Sequence, residues 1–207
     1  MAFTGAAAAA TVGFATQPAA AAPASTWHIT PGGAFTAANS GNPVLVDTTT
    51  GVSLTCTTAA ATGNLSGDGR TGASVQLGAI NTATFGTTAN PCSFLGINFT
   101  AKLNKATTLS GSHYAGGVTN GHIGNKTASN ISATITGLNV SCTAKIVGST
   151  LPGSFVNASN ALNINPGHAA TLTVKSVTGC LGAMHSGDKT YFAAKYKPNP
   201  AQTITES

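Results

Sequence analysis

Charge is what this sequence has least of. Only 6% of its 207 residues are Asp, Glu, Lys or Arg, against about a quarter in an ordinary soluble domain. Four of them are acidic, so carboxylates for acid–base chemistry are scarce. Aromatic residues are equally few at 6%, with one tryptophan, which argues against broad platforms for sugars or peptides. No Cys-x-x-Cys pair occurs and no histidine stands at ligand spacing from a cysteine, so a structural zinc site is excluded. No G-x-S-x-G elbow and no Walker lysine are present. The nine basic residues give a net charge of +5 but are scattered. A nucleic-acid groove, which clusters them on one face, is not expected. The one small apolar run, residues 6–16 (AAAAATVGFAT), is too short and too weakly hydrophobic to span a bilayer.

What is present is Thr, Ala, Gly, Ser and Asn, with 42% of residues hydrophobic. That apolar share argues against a disordered chain. Beyond residue 25, apolar residues recur at every second position. Gly, Asn and Pro break the pattern every eight to twelve residues or so. No helix period is found. The fold class read from this is all-β, an antiparallel sandwich or barrel of about 10–12 strands. Expected strands include Val52–Thr58, Ser74–Ile80, Ile97–Leu103, Gly117–Ile123, Ser129–Ile135, Leu138–Val147, Ala170–Val177 and Thr190–Lys197. Ser66–Arg70 and Ser186–Lys189 read as tight turns. The glycine-rich stretch 111–124 reads as a long hairpin.

The N-terminal segment reads as a signal peptide over residues 1–24, with a mature all-β domain over 25–207. Ala22-Pro23-Ala24 has the small residues that precede a cleavage site. No charge precedes Trp27, so the usual basic opening is missing and the true start codon is left open.

Four cysteines, Cys56, Cys92, Cys142 and Cys180, remain in the mature region. An even count in an exported chain implies disulfides, and four cysteines allow three connectivities. A repeated phrase selects one of them. Residues 50–57 read TGVSLTCT and residues 136–143 read TGLNVSCT. Each first cysteine is followed at similar distance by a second, and then by INFTAK (97–102) or TYFAAK (190–195). Two related halves, about 44–103 and 130–197, are therefore expected, with bridges Cys56–Cys92 and Cys142–Cys180. Strand alternation puts Val52, Leu54 and Cys56 on one buried face, and Leu138, Val140 and Cys142 on another. The phase flips at Gly137, where a turn or bulge must sit. In the last long strand Phe192, Ala194 and Tyr196 are expected inward and Lys195 and Lys197 in water.

The run from Cys180 to Ile204, Asp47–Gly51, the Leu-Thr-Cys at 54–56 and Gly96–Thr100 resemble an uncharacterised family of small secreted actinobacterial proteins. The resemblance implies export, an all-β fold and a Gram-positive source. It implies no activity and supplies no catalytic residue.

The search for chemistry finds little. Asp68 and Asp188 sit in glycine turns, Asp47 precedes a threonine-rich turn, and Glu206 is in the tail. Each aspartate is expected to cap its own backbone. A hydrolase using Asp47 or Asp188 needs the two to meet across a cleft. His185-Ser186-Gly187-Asp188 holds the residue types of a triad, but four neighbours in one turn rarely adopt its geometry. His113 and His122 flank the glycine-rich stretch with no carboxylate beside them, so no metal and no cofactor are expected. Trp27, Tyr114 and Tyr191 are the aromatics expected at the surface, Tyr191 with Lys195 and Lys197 beside it. The reading is an exported, non-enzymatic, extracellular or surface protein. Its expected partner is an anionic wall polymer or a surface protein, with no transmembrane segment. The alternative is a carrier of an apolar small molecule inside a β-barrel.

Overall fold

The computed structural model describes residues 25–94, 96–125, 130–169 and 171–207. The expected leader, residues 1–24, lies outside the described residues, as do Ser129 and Ala170, the first residues of two expected strands. In chain order the strands are β1 (Thr26–Thr30), β2 (Gly33–Asn39), β3 (Val44–Asp47), β4 (Ser53–Cys56), β5 (Ala59–Leu65) and β6 (Arg70–Thr71). Next come β7 (Val75–Phe85), β8 (Cys92–Phe94), β9 (Ile97–Leu103), β10 (Thr107–Ala115), β11 (Val118–Gly124) and β12 (Ile131–Gly137). The last are β13 (Cys142–Gly148), β14 (Thr150–Val156), β15 (Ala161–Ile164), β16 (Leu172–Gly179), β17 (Lys189–Asn199) and β18 (Thr203–Glu206). Alternation drives them. In β5, AAATGNL, every odd position is buried and every even one exposed.

The strands close into two rings. β2, β5, β7, β10, β11, β14, β15 and β17 pair in that order, and β17 pairs back with β2. β17, β16, β13, β12, β9, β8, β4 and β3 also pair in order, and β3 pairs back with β17. Every ladder is antiparallel. The 11-residue β17 serves both rings: its first half contacts β3 and β16, its second half β2 and β15. Thr84 and Phe85 of β7 pair with Lys102 and Ala101 of β9, a second junction. Closure leaves neither ring an unpaired edge, the usual liability of a β protein. A small sheet, in the order β18-β1-β6, shares no ladder with the rings.

The pairing map has an internal two-fold. Exchange β2 with β11, β3 with β12, β4 with β13, β5 with β14, β7 with β15, β8 with β16, and β9 and β10 with the two halves of β17. Every ladder of the two rings then becomes another ladder of the same map. The exchange relates residues 33–115 to residues 118–199, well beyond the phrases around the cysteines. Phe99 and Lys102 correspond to Phe192 and Lys195.

Both disulfides form as the repeat requires, Cys56–Cys92 and Cys142–Cys180. Both lie in the ring of β3, β4, β8, β9, β12, β13, β16 and β17, named here the cystine barrel. Between its two cysteines each half makes an excursion into the other ring, through β5 and β7 or through β14 and β15. Each bridge therefore clamps the neck of one excursion.

Some strands differ from expectation. Residues 138–141 are not the start of a long strand: β13 begins at Cys142, and Leu138 is 41% exposed, not buried. Asn98 and this bend hold each other instead. The Asn98 backbone N–H donates to the Asn139 side chain, and the Leu138 N–H donates to the Asn98 carbonyl. The phase change at Gly137 is this bend. The stretch 111–124 is a hairpin, β10–β11, turning at Gly116 and Gly117, whose φ of 57° and 83° suit a two-residue turn of the I′ type. β5 and the first half of β10 were not anticipated, nor were the short β1, β6, β8 and β18. Glu206 is not in a loose tail but in β18, and β18 pairs with β1.

Candidate functional site

The five residues expected to form a binding surface part company. Trp27 is fully buried, against expectation, and its Nε1–H donates to the Gly72 carbonyl at 3.0 Å. The reason is β1: paired to β18 and β6, it is pressed onto the open end of the ring without cystines. A Cβ at Gly111 would lie only 3.0–3.1 Å from the indole, so β10 carries a glycine there to admit the ring. Tyr114 is half-buried, and its backbone N–H donates to the Glu206 carboxylate at 3.0 Å. Tyr191 is half-buried, its ring stacked on His168 with centroids 4.0 Å apart. Lys195 and Lys197 are exposed on the outer face of β17, as alternation requires. The structure thus keeps Tyr191, Lys195 and Lys197 on one strand and draws Trp27 into the interior.

Register reveals a second basic feature that the linear sequence hides. Thr134 of β12 stands opposite Lys102 of β9 on one side and Lys145 of β13 on the other. Cross-strand partners share a face, so both lysines flank Thr134 on the outer wall, about 10 Å apart from the strand spacing. Lys175 follows on β16, beside the register shift at Lys145–Ile146. All three are exposed. None of the four carboxylates lies on these strands. Among the described residues the one basic side chain beside a carboxylate is His185, 3.4 Å from Asp188. The lysines are therefore not neutralised by the protein.

The acidic candidates hold turns. Asp47 is fully buried; its Oδ1 accepts the N–H groups of Thr49 and Thr50 at 2.9 and 3.0 Å. Asp188 is 7% exposed and its Oδ2 accepts the His185 N–H at 2.6 Å. The two turns share a corner, since Asp47 stands opposite Thr190. Neither carboxylate faces a cavity described below. Asp68 does not cap its own turn: its Oδ1 accepts the N–H of Ile29 at 2.6 Å and so anchors β1. Ser186 donates to the Lys175 carbonyl, consistent with a turn rather than a triad. His113 and His122 are not cross-strand partners, and the described residues hold no cluster of potential metal ligands. No helix among them is long and apolar enough to cross a membrane.

The interior contains space. A wholly apolar cavity of about 120 Å³ is lined by both rings, with Ala37, Ala61, Ala83, Ala101 and Ala133 where larger side chains would fill it. A second of about 80 Å³ lies in the other ring, under Gln202 and Ile204 at the capped end. Phe35, Ala37, Ile123, Leu162 and Tyr196 line both. At ~24 cal/mol per Å³ the larger void alone costs about 3 kcal/mol relative to a filled core. Tyr196 is 4% exposed and its hydroxyl has no partner. Burial raises its pKa far above the ordinary tyrosine value, so it stays protonated. Thr119, which lines the smaller cavity, also has a buried hydroxyl without a partner. Sequence reasoning anticipated neither, because an inward tyrosine reads simply as core. Comparison with known proteins finds no matching family, no matching curated protein and no matching solved structure.

Proposed function

We propose that this chain is an exported, non-enzymatic binding module that lies against an anionic polymer of a Gram-positive cell wall. The observation that carries the reading is the outer wall of β9, β12, β13 and β16, where Lys102, Lys145 and Lys175 are exposed and unpaired and no carboxylate stands. Two disulfides agree with a chain that works outside the reducing cytoplasm. The resemblance to secreted actinobacterial proteins points the same way. Attraction of this kind acts through exposed charges and is screened within about 8 Å at physiological salt.

The test is retention of the oxidised protein on Gram-positive wall preparations, with and without extraction of their teichoic acids. At low salt the protein is retained, and added salt releases it. A K102Q/K145Q/K175Q variant elutes early, while K195Q/K197Q reports the β17 face separately. Absence of retention at low salt ends the reading.

A further inference from the structure

The interior holds a site that the outer surface does not explain. Register sets Ala37, Ala61 and Ala83 opposite one another on β2, β5 and β7, and all three line the larger cavity. They leave room where longer side chains would meet. Among the described residues no Lys, Arg, Asp, Glu, His, Asn or Gln lines this cavity. Its wall includes two hydroxyl-bearing residues, Thr107 and Tyr196, and neither offers a hydrogen bond to an occupant. Thr107 Oγ1 donates to Asn130 Oδ1 at 2.9 Å, and the Tyr196 hydroxyl is sealed in the packing behind the wall. A water molecule needs two to four polar partners, which this wall does not supply. A hydrocarbon needs none, and it gives the lining atoms the dispersion contacts they otherwise lack on that side. At about 120 Å³ the space is slightly smaller than a roughly 150 Å³ protein cavity that takes benzene or xenon. It has room for one small ring, not for an acyl chain. We propose that the interior binds compact hydrocarbons without a polar atom and rejects their hydroxylated counterparts.

The way in follows from the architecture. The capping sheet, β18-β1-β6, shares no ladder with the rings, and its Ile204 lines the smaller cavity. Phe35, Ala37, Ile123, Leu162 and Tyr196 line both cavities and form the partition between them. Displacing the cap opens the smaller cavity without breaking either barrel. Side-chain motion in the partition then admits the ligand to the larger.

The experiment titrates the full oxidised chain with benzene and with phenol, which adds one hydroxyl to the same ring. Methyl NMR of Ala, Ile and Leu reads the binding. The wild type binds benzene saturably, with the shifts centred on Ala61, Ala83 and Ile80. Phenol binds more weakly by roughly tenfold or more, because its hydroxyl would be buried without a partner. Ala61→Leu, checked for the native methyl spectrum, fills the space and loses benzene binding; the wild-type pair decides the matter if that variant misfolds. No saturable benzene binding overturns the proposal. So do shifts confined to surface methyls, phenol binding as tight as benzene, or undiminished binding in a natively folded Ala61→Leu. Saturating benzene leaves wall retention unchanged, so the two readings fail independently.

Discussion

The two barrels are closed by different means. The cystine barrel carries both disulfides, one in each half of the chain. The other carries none and is shut by a cap built from the two ends of the described chain, β1 and β18, held by Trp27 and the Asp68–Ile29 hydrogen bond. One barrel is thus secured by covalent constraint of the unfolded chain, the other by packing in the folded one. The difference separates stability from access. A ring locked by cystines can stay shut while a non-covalent cap opens, because local opening requires only the contacts of the opening segment to be lost.

Removing both disulfides is the harshest way to break this comparison. Each closes a segment of 36 or 38 residues and contributes about 4 kcal/mol. Calorimetry of a Cys142→Ala/Cys180→Ala variant should show melting lowered by roughly 8–16 °C, and the four-alanine variant about twice that. An unchanged melting point would mean that the bridges constrain nothing the fold does not already hold.

Trp27→Ala acts on the opposite end. Loss of a fully buried indole costs about 3–5 kcal/mol. Hydrogen exchange should place that cost unevenly: amides of β1 and β18 lose protection, while those of β4, β8 and β13 keep theirs. Uniform loss would show the cap and the cystine barrel to be one cooperative unit.

Tyr196→Phe sharpens the comparison at the shared wall. Deleting an unpartnered buried hydroxyl should raise stability by about 1 kcal/mol. The pH dependence has a definite sign. The folded-state pKa of Tyr196 is raised by burial, so its contribution is complete below the unfolded value near 10 and is lost as pH rises beyond it. Denaturation from pH 9 to 12 should therefore show a steeper alkaline loss in the wild type than in Tyr196→Phe.

The smallest effect concerns the loop after β16. Leu181 is 80% exposed with a φ of 50°, in the left-handed region that leucine disfavours. Leu181→Gly relieves about 1 kcal/mol of that cost, less the glycine's own entropy. Urea denaturation should find it neutral or slightly stabilised.

Much of the architecture was legible because it is written in local signals. Period-two patterning reported the strands, and the doubled phrase around Cys56 and Cys142 reported both bridges. The turns at Asp47 and Asp188 were legible for the same reason, since an aspartate caps N–H groups a few residues away. Trp27 and Asp68 were misjudged because their partners, Gly72 and Ile29, are 45 and 39 residues away. The lysine wall was invisible because Lys102, Thr134 and Lys145 become neighbours only through register. The alanines around the cavity look, in one dimension, like any strand of small residues.

By itself the sequence determined the β class, the inward and outward faces of its regularly alternating strands, and which sulfurs join, because alternation and repetition need no distant partner. Only the tertiary structure decided that the strands close into two rings on a common β17. It alone put the tryptophan in the cap and left Tyr196 facing space. Those outcomes depend on which far-apart segments pair, and pairing energy is collected only when the whole ring has closed.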